Sequence, residues 1–519
     1  MLRVSNLVLI CASRRTNSHF TNVIREISRK SSDLRGQASN QDDDVVTKIK
    51  TDDNTFVARK KNETFVVEAG TNLVFVNDTI GIDGSGRAGG RTIRVDGSLS
   101  APVDSSFAIQ MDCSTKKAER IIVGSTGEVA GTRAAILVDG LIDIRVAGKV
   151  EGGRDAIFLP TGIATIRNSG IIEGGTNSAV NSISGELTLK NSGQIVSDDA
   201  NAIVALGESC TIENSGSIEA IGTTSAIAVI QADFDLTNTG TVLAEGGTAI
   251  FLGGSSDVGK VTIVNEGTIA GLVAAIAVQS GLSNDVLTIV NTGEIIGDVD
   301  LFGSERNDVV NTSNGLVEGD ILTGAGSDRI VLINAIVTGQ VQGGLGDDVY
   351  TISSNDITII EKSDEGADTV RATGNVSITL AANFENLTLI GKSDTQATGN
   401  GVDNVLTGNA GNNVIDGAAG EDTIRGGKGL DQLIGGADVD TFIFRKGDGK
   451  DVIGDFDIGV ATHDFLDLSG IKGITNFDDL IDNHAKDIDG DVVINAGKGD
   501  RIVLEGLTVD DLRAEMFFL

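Results

Sequence analysis

Residues 399–443 read GNGVDNVLT, GNAGNNVID, GAAGEDTIR, GGKGLDQLI and GGADVDTFI, five glycine-led nonapeptides with no gap between them. The repeats begin at Gly399, Gly408, Gly417, Gly426 and Gly435. A unit of this size cannot bury an apolar core by itself, so a nine-residue register held five times indicates coils that stack on one another. The stretch therefore predicts a parallel β-roll.

Three positions of each nonapeptide have a physical role. The leading glycine permits backbone angles closed to other residues, so the chain can turn tightly and aim carbonyl oxygens at an ion. The eighth residue is apolar, which suits a short strand facing an interior; these residues are Leu406, Ile415, Ile424, Leu433 and Phe442. The sixth residue is an oxygen donor of the hard kind that Ca²⁺ prefers. These candidate metal ligands are Asn404, Asn413, Asp422, Asp431 and Asp440.

The nonapeptides are expected to stack in alternation, because two of them make one full coil. Asn404, Asp422 and Asp440 then form one stack, and Asn413 and Asp431 form the other. Carboxylates bind Ca²⁺ more strongly than amides do, since ligand charge tunes affinity. We therefore expect the tightest site between Asp422 and Asp440.

A second acidic period lies upstream. The four aspartates are twenty residues apart, each in a stretch that resembles a nonapeptide, and they are Asp308, Asp328, Asp348 and Asp368. One turn of a larger solenoid has about this length, so we expect one column of carboxylates. Like charges at the roughly 4.8 Å spacing of stacked strands repel, and a cation between them resolves the conflict. The alternative is a ladder of Asp/Gly turns that holds no metal.

The middle of the chain repeats at 21 to 27 residues. Its turn glycines are Gly127, Gly148, Gly170, Gly193, Gly216, Gly240, Gly267 and Gly293, and six of them close an N-x-G triplet. A small-then-branched pair such as Ala202-Ile203 follows most of them. This pattern predicts a right-handed parallel β-helix with three strands in each turn. The asparagines are expected to stack and to hydrogen-bond the turn backbone, which is a structural role.

Composition and charge agree with an acidic solenoid. The 519 residues include 68 Gly, 2 Pro and no Trp, and the net charge is -34. Stacked turns need only aliphatic side chains, whereas a globular core would lack bulky ones. An acidic surface disfavours nucleic acid and anionic membranes as partners and favours cations. The sequence has no apolar run of about 18 residues, the length that a membrane-spanning helix requires.

The N-terminal segment and the cysteines lack a clear pattern. Residues 1–61 are predicted to be disordered or to result from an over-extended start, and the opening MLRVSNLVLICAS is a poor secretory signal. Cys11, Cys113 and Cys210 have no framework spacing, so we expect free thiols.

Residues 364–519 resemble the C-terminal domain of RTX proteins, particularly the calcium-binding half of serralysin-type metalloproteases. The resemblance rests on the nonapeptides and on EGADTV, NFENLTLIG, FRKGDGKDVIGDFD, DFLDLSG and GDRIVLEGLTVDDLRAEMFFL. It implies secretion through a type I ABC exporter by an uncleaved C-terminal signal, and calcium-triggered folding outside the cell. It also implies further metal ligands after the last repeat, at Asp448, Asp451, Asp455 and Asp457.

The sequence predicts no enzyme. A serralysin-type protease needs H-E-x-x-H to bind zinc, but the three histidines, His19, His463 and His484, are isolated, and no G-x-S-x-G is present. The alternative is a β-helix lyase, C5-epimerase or binder of polyanionic polysaccharide. A basic ladder of Arg94, Arg145, Arg167 and Lys190, each three residues before a turn glycine, could grip such a glycan. An ordinary solvated face is the competing interpretation.

The sequence thus predicts an all-β protein of six segments. They are 1–61, disordered or mis-started; 62–300, parallel β-helix; 301–372, twenty-residue calcium-binding turns; 373–398, connecting β segment; 399–443, nonapeptide β-roll; and 444–519, β-rich cap with type I secretion signal. We expect a secreted protein that binds several Ca²⁺ ions and has a structural or adhesive role at the cell surface or in an extracellular matrix.

Overall fold

The computed structural model describes residues 46–49, 56–57, 64–74, 80–83, 90–101, 107–113, 118–230, 232–253, 259–279, 286–460 and 462–519. Across these residues the fold is a parallel β-solenoid, which confirms the predicted all-β class. Cys11, His19 and most of residues 1–61 lie outside the described residues. Two strands, Val46–Ile49 and Phe56–Val57, nevertheless fall within that segment, for which the sequence predicts disorder or an over-extended start.

The first sheet has 21 strands and runs along the described solenoid. Its strands are Val46–Ile49, Thr64–Val67, Thr92–Val95, Glu119–Val123, Ile142–Val146, Ile163–Asn168, Glu186–Asn191, Ser209–Asn214, Asp233–Asn238, Val261–Asn265, Leu287–Asn291, Val309–Asn311, Arg329–Leu332, Val349–Ile352, Thr369–Thr373, Asn386–Ile390, Val405–Thr407, Thr423–Arg425, Thr441–Arg445, Phe465–Gly470 and Phe517–Phe518.

The second and third sheets complete the turns of the β-helix. The second has 12 strands, Asn72–Val74, Ser98–Ala101, Glu128–Gly131, Lys149–Gly152, Ile171–Gly174, Gln194–Ser197, Ser217–Ala220, Thr241–Ala244, Thr268–Gly271, Glu294–Ile296, Leu316–Glu318 and Ile336–Val337. The third has 14 strands, Phe56–Val57, Ile80–Asp83, Phe107–Cys113, Ala134–Gly140, Asp155–Leu159, Ser178–Ser182, Asn201–Ala205, Ile227–Ile230, Thr248–Gly253, Ala274–Val278, Val299–Asp300, Ile321–Ala325, Gln340–Leu345 and Thr358–Ile359.

The fourth sheet replaces these two sheets in the C-terminal part. Its 8 strands are Ile378–Thr379, Gln396–Thr398, Val414–Asp416, Gln432–Ile434, Lys450–Ile453, Ala485–Ile488, Asp491–Gly497 and Asp500–Leu504. The solenoid therefore changes from three sheets to two while the first sheet continues. The segment 373–398, predicted to be a connecting β segment, holds strands of the first and fourth sheets and is part of the solenoid.

Aliphatic side chains fill the interior because alternate residues of each strand point inward. In the third sheet Val180 pairs with Ile203 and Ile203 pairs with Ile227, and all three are fully buried. The predicted small-then-branched pairs are thus stacked core positions. Cys113 and Cys210 are buried free thiols, as predicted.

An asparagine ladder fixes the turn after the first sheet. Asn191 Nδ2 donates to Asn214 Oδ1 at 2.8 Å and to Ser217 O at 2.9 Å, and Asn214 Nδ2 donates in the same way to Asn238 Oδ1 at 2.8 Å. The glycine of the triplet is required by close approach, since a Cβ at Gly216 would lie 2.0 Å from Gly193 O. The N-x-G triplets therefore have the structural role that the sequence predicts.

The C-terminal cap covers the end of the fourth sheet. Asp500–Leu504 pairs in parallel with Lys450–Ile453, and Asp491–Gly497 and Ala485–Ile488 add antiparallel strands. Four single-turn helical segments complete it, Phe477–Asp479, Leu480–His484, Val509–Asp511 and Ala514–Met516. In the part of the chain that the structure describes, no helix has the length and apolarity needed to cross a membrane.

Candidate metal centre

A column of carboxylates precedes successive strands of the first sheet. The backbone N–H of Asp308 donates to Asp328 Oδ1 at 2.6 Å, that of Asp328 to Asp348 Oδ1 at 2.7 Å, and that of Asp348 to Asp368 Oδ1 at 2.8 Å. Each aspartate thus caps the backbone of the turn before it. The four residues lie in one column, as the twenty-residue period predicts.

The column continues into the nonapeptides through Glu385, which the sequence pattern does not predict. Asp368 N donates to Glu385 Oε2 at 2.7 Å, and the carbonyl of Glu385 accepts a hydrogen bond from Val405 N at 2.8 Å. Asn404 N then donates to Asp422 Oδ1 at 2.7 Å, and Asp422 N to Asp440 Oδ1 at 2.9 Å. The first column is therefore continuous across both predicted calcium-binding segments.

A second column precedes strands of the fourth sheet. Asn413 N donates to Asp431 Oδ1 at 2.7 Å, and Asp431 N donates to Asp451 Oδ1 at 3.0 Å. The strands pair in the same alternation, with Ile415 opposite Leu433 here and Leu406 opposite Ile424 in the first sheet. The nonapeptides therefore stack on every second repeat, as the sequence predicts.

The aspartates keep one oxygen that the protein does not satisfy. The Oδ1 atoms accept backbone hydrogen bonds, whereas the Oδ2 atoms are buried and have no hydrogen-bond partner among the described residues. These residues are Asp308, Asp328, Asp348, Asp368, Asp422, Asp431 and Asp440. Leaving a buried neutral polar group unpaired costs roughly 2–7 kcal/mol, and a charged oxygen costs more unless a proton or a cation compensates.

Glycines hold space next to these free oxygens. A Cβ at Gly417 would lie 2.3 Å from Asp422 Oδ2 and 2.4 Å from Gly435 O, and a Cβ at Gly435 would lie 2.3 Å from Asp440 Oδ2. Gly426 stands in the same relation to Asp431 Oδ2, at 2.4 Å. A carboxylate oxygen therefore borders each space, and a carbonyl oxygen also borders the one at Gly417. This all-oxygen donor set fits Ca²⁺.

Burial also raises the pKa of the column carboxylates when no ion is bound, because it disfavours their charged form. It raises the pKa of Asp308, Asp422 and Asp440 to about 7 and the pKa of Asp348 and Asp451 to about 8. Nearby carboxylates raise the pKa of Asp440 further, Asp464 and Asp422 among them. The columns therefore favour positive charge at the position of the free oxygens.

The aspartates after the last repeat differ in their surroundings. Asp451 lies in the second column, whereas Asp448 accepts hydrogen bonds from the Arg425 guanidinium at 2.8 Å and from Arg445 N at 2.7 Å. Asp455 accepts from Gly435 N and Gly436 N, both at 2.9 Å. Asp457 is exposed and accepts from Gly459 N at 3.0 Å. The structure thus brings one of these four predicted ligands into a column.

Asp464 closes the first column and is not among the predicted ligands. Its Oδ1 accepts from Asp440 N at 2.9 Å, and its Oδ2 accepts from Asp457 N at 2.8 Å. It stands directly before the strand Phe465–Gly470, with the inward Leu466 two residues later. The repeats share this order, in which an aspartate or asparagine precedes an apolar residue by two positions. The order is therefore the feature of the sequence that indicates Asp464.

The basic ladder lies on the outer face of the first sheet. Arg145, Arg167 and Lys190 are directly opposite one another, while Ile122 stands between Arg94 and Arg145. They line an open groove of about 840 Å³. Arg145 pairs with Asp143 at 2.9 Å, and Lys190 pairs with Glu213 at 2.7 Å. Arg94 and Arg167 are paired with Asp96 and Asp143.

Comparison with known families agrees with the geometry of the columns. The model of the RTX calcium-binding nonapeptide repeat, which spans four copies, matches residues 398–433 and again residues 417–451. These residues are RTX repeats. The match covers Asn404, Asn413, Asp422, Asp431 and Asp440, all of which lie in the two columns, and it supports Ca²⁺ as their ion. No curated protein matches the chain.

Proposed function

We propose that the protein is a secreted RTX solenoid whose two columns fill with Ca²⁺ and that calcium completes its folding. The row of buried carboxylate oxygens without a partner carries this proposal. The residues that would hold the ions are Asp308, Asp328, Asp348, Asp368, Asp422, Asp431, Asp440, Asp451 and Asp464, with Asn404 and Asn413 at the ends of the RTX stacks.

Calcium would act as the counter-charge that the sequence lacks. The chain has a net charge of -34, and its repeats place acidic side chains one strand spacing apart. Compact stacking therefore concentrates negative charge, whereas the unfolded chain spreads it. An ion that binds only the folded columns stabilises them by its binding free energy.

The burial of Met516 and Phe517 supports export before folding. Met516 is fully buried, and Phe517–Phe518 pairs with Phe465–Gly470 at the end of the first sheet. A type I exporter that recognises this segment would therefore meet it in the unfolded chain. Asp464, directly before the same strand, links the packing of the segment to the end of the first column.

A structural or adhesive role fits the surface better than action on a polyanionic polysaccharide. The groove over the basic ladder is the observation that favours such a glycan. Its cations, however, are already paired with carboxylates, and Glu213 continues the row after Lys190. Exposed pairs of this kind are typical of a solvated face.

The test is circular dichroism of the full chain, first in chelator and then with Ca²⁺ at roughly 0.1 to 1 mM, the range of extracellular modules. We expect a gain of β signal, and calorimetry should show several bound ions. Identical spectra together with no heat of binding would refute calcium-dependent folding. Magnesium at the same concentration is the matched control, because Mg²⁺ gives up its water ligands reluctantly.

A further inference from the structure

A third carboxylate joins the first column at one point. Glu361 is 4 % exposed, and one of its oxygens lies within 4.8 Å of an oxygen of Asp348 and of Asp368, which are likewise buried. Glu361 follows Thr358–Ile359, the last strand of the third sheet. The cluster therefore lies where the solenoid changes from three sheets to two, and it is outside the RTX repeats.

The hydrogen bonds leave three oxygens free in this cluster. Glu361 Oε1 accepts from Gly343 N at 3.1 Å and from the hydroxyl of Tyr350. The Oδ1 atoms of Asp348 and Asp368 accept backbone hydrogen bonds within the column. Asp348 Oδ2, Glu361 Oε2 and Asp368 Oδ2 have no hydrogen-bond partner among the described residues.

Two neighbours organise the cluster without competing for a cation. Tyr350 is fully buried against Phe384, with ring centroids 5.4 Å apart, and its hydroxyl holds the Glu361 carboxylate in place. Gly343 leaves the necessary space, because a Cβ there would lie 2.1 Å from Asp348 Oδ2. Tyr350 is thus a positioning residue and Gly343 a spacer.

Charge distinguishes this point from the preceding turns. Burial raises the pKa of Asp308 and the charge of Asp328 adds to it, while the Ser304 side chain and the Arg306 charge lower it; burial raises the pKa of Asp328, and the Thr323 side chain lowers it. Around Asp348 burial is again the largest cause of a raised pKa, and there Asp328, Asp368 and Glu361 raise it further. Negative charge is therefore concentrated at the cluster.

We propose that Asp348, Glu361 and Asp368 bind one Ca²⁺ ion that ties the last turn of the third sheet to the first sheet. A hard cation fits because the donors are all carboxylate oxygens, and the sequence has no His or Cys between Cys210 and His463. Since Asp348 and Asp368 also belong to the first column, this inference rests on the proposed calcium binding by that column.

The chain contains its own reporter for this site. Tyr350 is the single tyrosine, and there is no tryptophan. Tb³⁺, a hard lanthanide that replaces Ca²⁺ at oxygen sites, emits when a nearby aromatic ring transfers its excitation energy. Terbium emission excited in the tyrosine band must therefore come from ions close to Tyr350.

The experiment titrates Tb³⁺ into the calcium-free full chain and compares Glu361→Gln with wild type. We expect strong sensitised emission from wild type, loss of most of it in Glu361→Gln, and one Ca²⁺ fewer for this variant in calorimetry. Circular dichroism in calcium checks that the variant folds. Gly343→Ala, which fills the space beside Asp348, should cause the same loss with every carboxylate retained.

Asp431→Asn is the matched control, because Asp431 lies about four strand spacings, or about 20 Å, from Tyr350. It should lower calcium stoichiometry and leave the sensitised emission unchanged. Equal emission from Glu361→Gln and wild type would overturn the inference, as would a wild-type chain that binds calcium and gives no sensitised emission. Absence of any calcium binding would overturn the proposed function as well.

Discussion

Asp422 and Asn404 are neighbours in the first column, yet they differ in what the protein leaves unsatisfied. Asn404 Oδ1 accepts from Asn400 N at 2.8 Å, and its Nδ2 donates to Phe384 O at 2.9 Å. Asp422 Oδ2 is buried with no partner among the described residues. Asn404 thus already has protein partners for both amide atoms and adds no charge to the stack, whereas the free oxygen of Asp422 requires a proton or a cation.

Asp422→Ala should therefore impair calcium binding more than Asn404→Ala does. Asp422 lies between Asn404 and Asp440, so its removal affects the spaces on both sides. We expect titration calorimetry to show at least one ion fewer and a higher calcium midpoint of folding, with little change in stoichiometry for Asn404→Ala. Equal stoichiometry and equal midpoints for the two variants would contradict the assignment of the free oxygens.

Ile203 tests the interior of the β-helix. It is fully buried between Val180 and Ile227, so Ile203→Asp would place an unpaired charge in the core at a cost of roughly 4 kcal/mol or more. Thermal unfolding should show loss of the β-helix transition. Val204→Asp, at the next and partly exposed residue, is the control and should retain it. Normal stability of Ile203→Asp would mean that the inward face is assigned wrongly.

At the scale of elements, the asparagine ladder predicts a smaller and local effect. Asn214→Ala removes hydrogen bonds to Asn238 Oδ1 and Thr241 O, and it leaves Asn191 without its ladder acceptor. We expect a loss of about 1–3 kcal/mol. Hydrogen exchange should rise in the adjoining turns and not at the columns, while Thr211→Ala on the same strand should change little. Faster exchange along the whole solenoid would instead indicate a global role for the ladder.

The elements with a constant period were predictable from sequence, and those at changes of period were not. Successive aspartates are twenty residues apart between Asp308 and Asp368, and successive ligands of the first column are eighteen apart between Asn404 and Asp440. Each of these spacings is the length of one turn. Asp368 and Glu385 are 17 residues apart, and Asp440 and Asp464 are 24 apart. Turn length changes there because the number of sheets changes or the cap begins. Glu385, Glu361 and Asp464 therefore could not be found from spacing.

The remaining differences arise from side-chain partners that a sequence pattern does not specify. The resemblance to RTX proteins indicates Asp448, but Arg425 stands beside it and supplies its counter-charge. Glycine spacing predicts the basic ladder, while the acids that pair with it come from the same strand, as Asp143 does, or from the next turn, as Glu213 does. Periodicity thus gives the column in which a residue lies and leaves its neighbours across the turn undetermined.

The whole solenoid combines two parts that are expected to differ in their dependence on calcium. The described β-helix between Glu119 and Ile296 is filled by aliphatic residues, whereas the carboxylate columns begin at Asp308 and continue through the RTX repeats. In chelator we expect hydrogen exchange to remain slow in the β-helix and to become fast from about Asp348 to residue 519, with protection restored by calcium. Because the first sheet is continuous, the boundary of protection should lie near the cluster of Asp348, Glu361 and Asp368. Uniform loss of protection would show that the β-helix also depends on calcium.

The raised pKa values of the column carboxylates make the stability of the fold depend on pH. Burial raises the pKa of Asp422 and Asp440 to about 7, above the value of 3.8 for an unperturbed carboxyl. Without calcium the fold therefore binds more protons than the unfolded chain does. The stability contributed by these groups is present in full below about pH 4 and is lost as the pH rises through about 7. Calcium requires the ionised carboxylates, so its binding should release protons and weaken as the pH falls.

In chelator, the residues of the two columns should show more β signal at about pH 5 than at about pH 7.5, and in saturating calcium this order should weaken or reverse. Circular dichroism at the two pH values, in chelator and in calcium, measures all four states. Asp422→Asn, which cannot ionise, should reduce the pH dependence in chelator. A chelated wild type that has more β signal at the higher pH would show that the column carboxylates are already compensated by the protein itself.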